Sequence, residues 1–149
     1  MYEQGLAIFR ELGDRWGIAG TLADLGSLAG GQGNYSSARS MYRESLKLFR
    51  ELDHKRGVAR LLECFACSAS AQLEAERALR LAGAAAALRQ HIGAPLTPAE
   101  QAKLDASLDP ARQALTNAVC ATAWSEGLAL PIEKAIEEVS VPEGPAPSG

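Results

Sequence analysis

Apolar positions recur every three or four residues along most of the chain, and the pattern predicts helices throughout. Tyr2, Leu6, Phe9 and Leu12 form one stripe, and Gly13 fits a stop after it. Asp14 then caps a helix to Gly31 whose apolar face is Ile18, Leu22, Leu25 and Ala29. Gly30-Gly31-Gln32-Gly33-Asn34 is a strong turn signal, because Gly and Asn accept left-handed backbone angles. Asn34 or Ser36 caps the next helix, which runs to about Leu52 with Ala38, Met41, Tyr42, Ser45, Leu46 and Phe49 inward. Gly57 to Gln72 follows, through Val58, Leu61, Leu62, Phe65 and Ala69. The turn at Gln72-Leu73-Glu74 lacks glycine. Ala75 to His91 is an alanine-dense helix ended by Ile92-Gly93-Ala94-Pro95.

The pattern changes after Pro95. Thr97-Pro98-Ala99-Glu100 has the form of a capping box with proline in the first helical position. Asp109-Pro110 repeats the device and predicts a separate helix through Ala111, Ala114 and Leu115. Another helix is expected through Val119, Ala123 and Trp124 to Gly127. Pro131 opens a last one, with Ile132, Ala135, Ile136 and Val139 inward. Residues 142–149 hold three prolines and two glycines with no apolar anchor, so they are expected to be disordered.

Two of these stretches are copies. Tyr2 to Leu22 lies over Tyr42 to Leu62 at an offset of forty residues, without a gap. Nine of the twenty-one positions are identical, among them Leu6/Leu46, Phe9/Phe49, Arg10/Arg50, Gly17/Gly57 and Ala19/Ala59. Chance gives about one or two at ordinary residue frequencies. A helical repeat of this length implies an α-solenoid, in which each helix buries its apolar face against its neighbours. On that logic the first helix lacks a partner, and further repeats are expected to precede Tyr2. The alternative is a short protein whose first helix packs elsewhere, with Leu6 and Phe9 covered by a homodimer or a partner chain.

Within the repeat, Leu25-Gly26, Gly33-x-Tyr35, Ala38, Tyr42 and Leu46 stand at the spacing of a tetratricopeptide repeat, which the chain resembles. It departs from that family at Leu22 and Ala29, where aromatics are common, at Ser45 for a common Ala, and at Arg50 where a Pro often ends the repeat. Its period is also longer than the usual one of about 34 residues. The Phe-Arg-Glu-Leu link, the run Leu81 to Leu96, Ala123-Trp-Ser-Glu-Gly127 and Glu133-Lys-Ala-Ile136 are similar to the C-terminal arrays of large bacterial signal-transducing ATPases and LuxR-type regulators. The resemblance implies an all-α, right-handed superhelix of helical hairpins. Residues 1–95 would form the repeats, 96–141 capping helices and 142–149 a tail.

Composition narrows the work such a fold does. Aromatics are 5% of the chain and the apolar residues are mostly Ala and Leu, which suits closely packed helices rather than a β-sandwich. A net charge of -3 with dispersed Lys and Arg gives no footprint for direct nucleic-acid binding. No apolar run approaches the roughly 18 to 20 residues of a membrane span. Three cysteines without an export signal predict reduced thiols and a cytoplasmic location.

Candidate chemistry is sparse. Cys64-Phe-Ala-Cys67 has redox or metal spacing, but lacks a βαβ context, a second cysteine pair and a nearby His. Cys120 stands alone and reads as packed. His54 and His91 lie near helix ends, where a His favours the negative end of the dipole. Trp16 and Trp124 read as packing between helices, and Glu133, Glu137 and Glu138 as a solvated face. There is no Gly-x-x-x-x-Gly-Lys-Ser/Thr loop for phosphate. No enzyme, cofactor or metal is expected. The resemblance places the binding surface on the concave side, lined by the first helix of each hairpin. By helical spacing that side carries Gly20, Ala23, Ser27 and Gly30, then Arg60, Glu63, Cys67 and Ser70. Arg60 and Glu63 stand at pairing distance along one helix. The expected function is docking of a protein or peptide, sensing of a ligand, or contact with upstream domains of the same chain. A free-standing adaptor is the alternative, and a thiol- or metal-dependent enzyme the rival from another class.

Overall fold

Short polar links between long apolar-striped segments favour helices that reverse onto the one before, as the first five described helices do. The computed structural model describes residues 14–140, and those residues are all-α. The helices are α1 (Arg15–Gly31), α2 (Tyr35–Glu51), α3 (Lys55–Ala71), α4 (Ala75–Ile92), α5 (Pro98–Gln113), α6 (Asn117–Ala129) and α7 (Ile132–Ser140). The expected first helix over Tyr2 to Leu12, its homodimer contact and the expected tail lie outside the described residues. No described helix is long and apolar enough to cross a membrane.

The forty-residue repeat resolves into two equal halves. The helix-flanking residues Asp14, Asn34, His54 and Glu74 stand twenty apart, and each opens a helix. Left-handed residues Gly33 (φ 81°), Asp53 (φ 52°) and Leu73 (φ 64°) keep the same interval. Each link closes with one backbone bond back to the preceding helix: Asn34 N to Ala29 O at 2.9 Å, His54 N to Phe49 O at 2.9 Å, and Glu74 N to Ala69 O at 2.8 Å. Every link therefore turns the chain by the same geometry. Gly33 adopts it without cost, but Leu73 does not, since an L-residue there brings Cβ against the backbone. Leu73 is also 76% exposed, so its side chain returns little by packing. Leu73→Gly is expected to stabilise the protein by about 1 kcal/mol in urea unfolding.

Side chains set the reversal inside each hairpin. Gly26 faces Tyr42, and a Cβ there would lie 2.6 Å from the tyrosine ring. Ser45, fully buried, donates to the Ala19 carbonyl at 2.6 Å, so its hydroxyl ties α2 to α1. Tyr42 packs edge-on against Phe65, carrying the contact on to α3. Gly57, identical to Gly17 in the other copy, leaves room for the Phe49 ring. Contacts then alternate. α1 packs against α2 and α3, and α3 against α2, α4 and α5. Thus α1, α3 and α5 stand side by side, with α2 and α4 behind them.

The end of the fold is built differently. Helix α6 crosses α4 at two glycines, Gly83 and Gly127, where the two backbones touch. Helix α7 buries Ala135, Ile136 and Val139 against α3 and α4. Thr97 and Glu100 form the expected capping box (3.2 and 2.9 Å). The expected break at Asp109-Pro110 does not occur, because α5 runs through it to Gln113. Pro110 sits in the last turn, where it removes only the bond to the exposed Ala106, while Leu108 and Ala111 are buried on either side. Leu115 falls outside the helix, in the link to α6, half-buried against the core.

Candidate functional site

Three helices standing side by side leave a concavity where their outward stripes are small. Here it is an open groove of about 1170 Å³, bounded by α1, α3 and α5, with Tyr42 and Phe49 of α2 at its base. Gly20, Ser27 and Gly30 of α1 line it, as do Arg60, Glu63 and Cys67 of α3. Two of the expected lining residues do not. Ala23 is fully buried in the core, and Ser70 is fully buried under α5, where its hydroxyl donates to the Ser107 carbonyl at 2.8 Å. Both sit at the edge of the outward stripe, where a neighbouring helix covers them.

The charged walls are fixed by pairs that bridge helices. Arg60 and Glu63 do not meet each other. Arg60 Nη2 reaches Asp24 Oδ1 of α1 at 2.5 Å, and Glu63 accepts from Nε and Nη2 of Arg89 on α4, at 2.5 and 3.0 Å. Arg89 also donates to the Ala94 carbonyl at 3.1 Å, which ties the α4–α5 link to the groove wall. Its side chain is 11% exposed and that of Glu63 12%, so this pair is nearly dry, whereas Arg60 and Asp24 are each 41% exposed. Lys103 and Leu104 of α5 complete the opposite wall. Sequence spacing alone shows no sign of Arg89 or Lys103 at the groove, or of Asp24 as the partner of Arg60, since packing between helices brings each into place.

The floor is polar but chemically quiet. Ser27 and Tyr42 share a hydrogen bond at 3.2 Å between their hydroxyls. Burial raises the Tyr42 hydroxyl well above its ordinary pKa. Burial likewise pushes the Cys64 thiol up to about 12, against an opposing pull from Arg60, and raises Cys67. Both thiols are therefore protonated at neutral pH, whereas the thiolate is the nucleophile and metal ligand. All three cysteines are free, and among the described residues no three His, Cys, Asp or Glu side chains gather as a metal site.

One rim is aromatic. Trp16 is 59% exposed and meets His54 edge-on, with ring centroids 5.5 Å apart, so it is a groove residue rather than packing between helices. His54 stacks on Phe49 at 5.2 Å. It stands at the start of α3, not at a negative helix end. Its Nδ1 accepts from Gly57 N at 2.9 Å, so it works as a cap. Trp124, by contrast, is half-buried against the core, and Cys120 packs beside it. No protein-family model matches the chain, and no curated protein or solved structure does so either.

Proposed function

We propose that the chain is a non-catalytic docking module of tetratricopeptide type. In this reading the helical hairpins form a right-handed solenoid, the helices after Pro95 are its cap, and the groove between α1, α3 and α5 holds a protein or peptide segment. The observation that carries the reading is a preformed groove with small residues along its wall and its charged side chains held by pairs between helices. A site already ordered loses little side-chain freedom when it is filled. Gly20 adds weight. It stands inside α1, where glycine costs about 1 kcal/mol relative to alanine, yet among the described residues no atom beyond its own helix backbone lies within 4 Å of where its Cβ would be. Packing does not require that glycine, and an open groove does.

The resemblance to the C-terminal arrays of bacterial signalling ATPases and LuxR-type regulators favours a partner domain within a larger cytoplasmic polypeptide. A free-standing adaptor would use the groove in the same way. The thiol-enzyme reading has the least support, because burial works against the thiolate form of Cys64 and Cys67.

The test is a peptide selected on the unaltered protein from a random library. Gly20→Leu fills the groove from one wall, and Arg60→Glu reverses one of its charges. Each is expected to weaken that peptide by about tenfold or more, while thermal unfolding of Gly20→Leu stays within about 3 °C of the unaltered chain. Affinity unchanged from the unaltered protein in both variants would reject the groove as the docking site.

A further inference from the structure

A second surface, distinct from the groove, is already occupied by a helix of this chain. No residue of α7 lines the groove. Instead α7 lies against α3 and α4 and is tied to α2, far away in sequence. Its ties are mostly ionic and repeat along its length. Arg50 of α2 meets Glu133 at 2.9 Å, and Arg80 of α4 meets Glu138 at 2.6 Å. Arg43 Nε donates to the Val139 carbonyl at 3.2 Å. Between these ties α7 buries only Ala135, Ile136 and Val139.

Two features mark this as a replaceable fit. The Arg50–Glu133 pair is exposed, at 46% and 68%, and exposed pairs hold weakly. More tellingly, the buried Nε of Arg77 makes no hydrogen bond, with Glu138 at 3.8 Å and already engaged by Arg80. Arg77 reaches Glu74 only through Nη1, at 3.4 Å, so the docked helix leaves its buried Nε donor unmet beside a carboxylate that Arg80 holds. A helix with one more well-placed acceptor would satisfy it.

We propose that α3 and α4, flanked by the arginines of α2, form a docking site for an acidic amphipathic helix, and that α7 is its displaceable intramolecular occupant. The partner helix would copy the chemistry of α7: a short apolar stripe with carboxylates on both flanks, placed to meet Arg50, Arg77 and Arg80. Displacement from Pro131 onward would then couple binding at this surface to release of the C-terminal helix.

The test uses the full chain and a fluorescein-labelled peptide of residues 131–140. Glu133→Lys with Glu138→Lys sets cations against Arg50 and Arg80 and loosens α7. That variant is expected to bind the peptide about tenfold or more tightly than the unaltered chain, because the tethered competitor is weakened. Adding Arg50→Glu and Arg80→Glu should abolish the gain. Equal peptide binding by the unaltered and loosened chains, with helical circular dichroism retained, overturns the proposal. If the loosened variant does not fold, amide exchange of the unaltered chain decides. Saturating peptide should speed exchange in α7 by about tenfold relative to that in α4, through capture of the locally open state. Unchanged exchange in α7 overturns the proposal equally.

Discussion

Gly127→Ala is expected to destabilise the protein by about 3 kcal/mol or more, lowering the unfolding midpoint by roughly 6 to 12 °C. The added methyl would overlap the Arg80 carbonyl oxygen and press on the Ala84 amide nitrogen at 3.1 Å. Those atoms belong to the α4 backbone and cannot rotate away, so the helices must separate. Separation opens the contact along the whole crossing, including the close approach of Gly83 to the Trp124 carbonyl, where a Cβ would lie at 2.6 Å. Gly83→Ala should therefore act in the same direction. Gly20→Ala is the matched control, since no described neighbour lies within 4 Å of its methyl and helix propensity rises. It is expected to be neutral or mildly stabilising. Equal losses from all three substitutions in urea unfolding would mean that α4 and α6 do not cross at their glycines.

Glu63→Gln is expected to cost about 3 kcal/mol, because it leaves the Arg89 guanidinium nearly dry without its carboxylate. Glu63 accepts two bonds from Arg89 within one plane, a geometry that a neutral amide cannot reproduce. The damage should also spread to the groove, because Arg89 holds the Ala94 carbonyl and with it the link into α5. Replacing both partners, as Glu63→Met with Arg89→Met, should recover most of the stability and return it to within about 1 kcal/mol of the unaltered chain. Urea unfolding of the two single variants and the double variant measures the coupling directly. A double variant as unstable as the sum of the singles would show that the two side chains act independently.

Much of this fold is legible in the sequence because its signals are local. Asp14, Asn34 and Thr97 cap where they are expected to, and Gly93 ends α4 in the left-handed region. Most residues on the apolar stripes of α1, α2, α3 and α7 are buried, but the broad buried face of the alanine-dense α4, from Ala75 to Leu88, has no stripe to announce it. What fails is whatever depends on a neighbour. Asp109-Pro110 carries the local signal of a helix start, yet burial of Leu108 and Ala111 on one continuous helix outweighs it. The groove shows the same division. Helical spacing places Gly20, Ser27, Gly30, Arg60, Glu63 and Cys67 on the open side. It does not reveal that α5 reaches over Ser70, or that Ala23 sits deep between helices. Arg60 and Glu63 satisfy the spacing rule for a pair on one helix, but a carboxylate on α1 and a guanidinium on α4 take them apart. The left-handed turn at Leu73 was hidden for another reason. Its sequence lacks glycine, and only the twenty-residue interval shared with Gly33 and Asp53 explains it.

The central claim is that the groove between α1, α3 and α5 is where a partner lies. The most direct test is to titrate a library-selected peptide into the isotope-labelled full chain and follow the backbone amides by NMR. The account predicts that shifts concentrate at Gly20, Ser27, Gly30, Arg60, Cys67 and Lys103, with the indole of Trp16 responding at the rim. It also predicts little change along the outward face of α7. Shifts confined to α7 and α2, or to the α4–α6 crossing, with the groove amides unmoved, would contradict it.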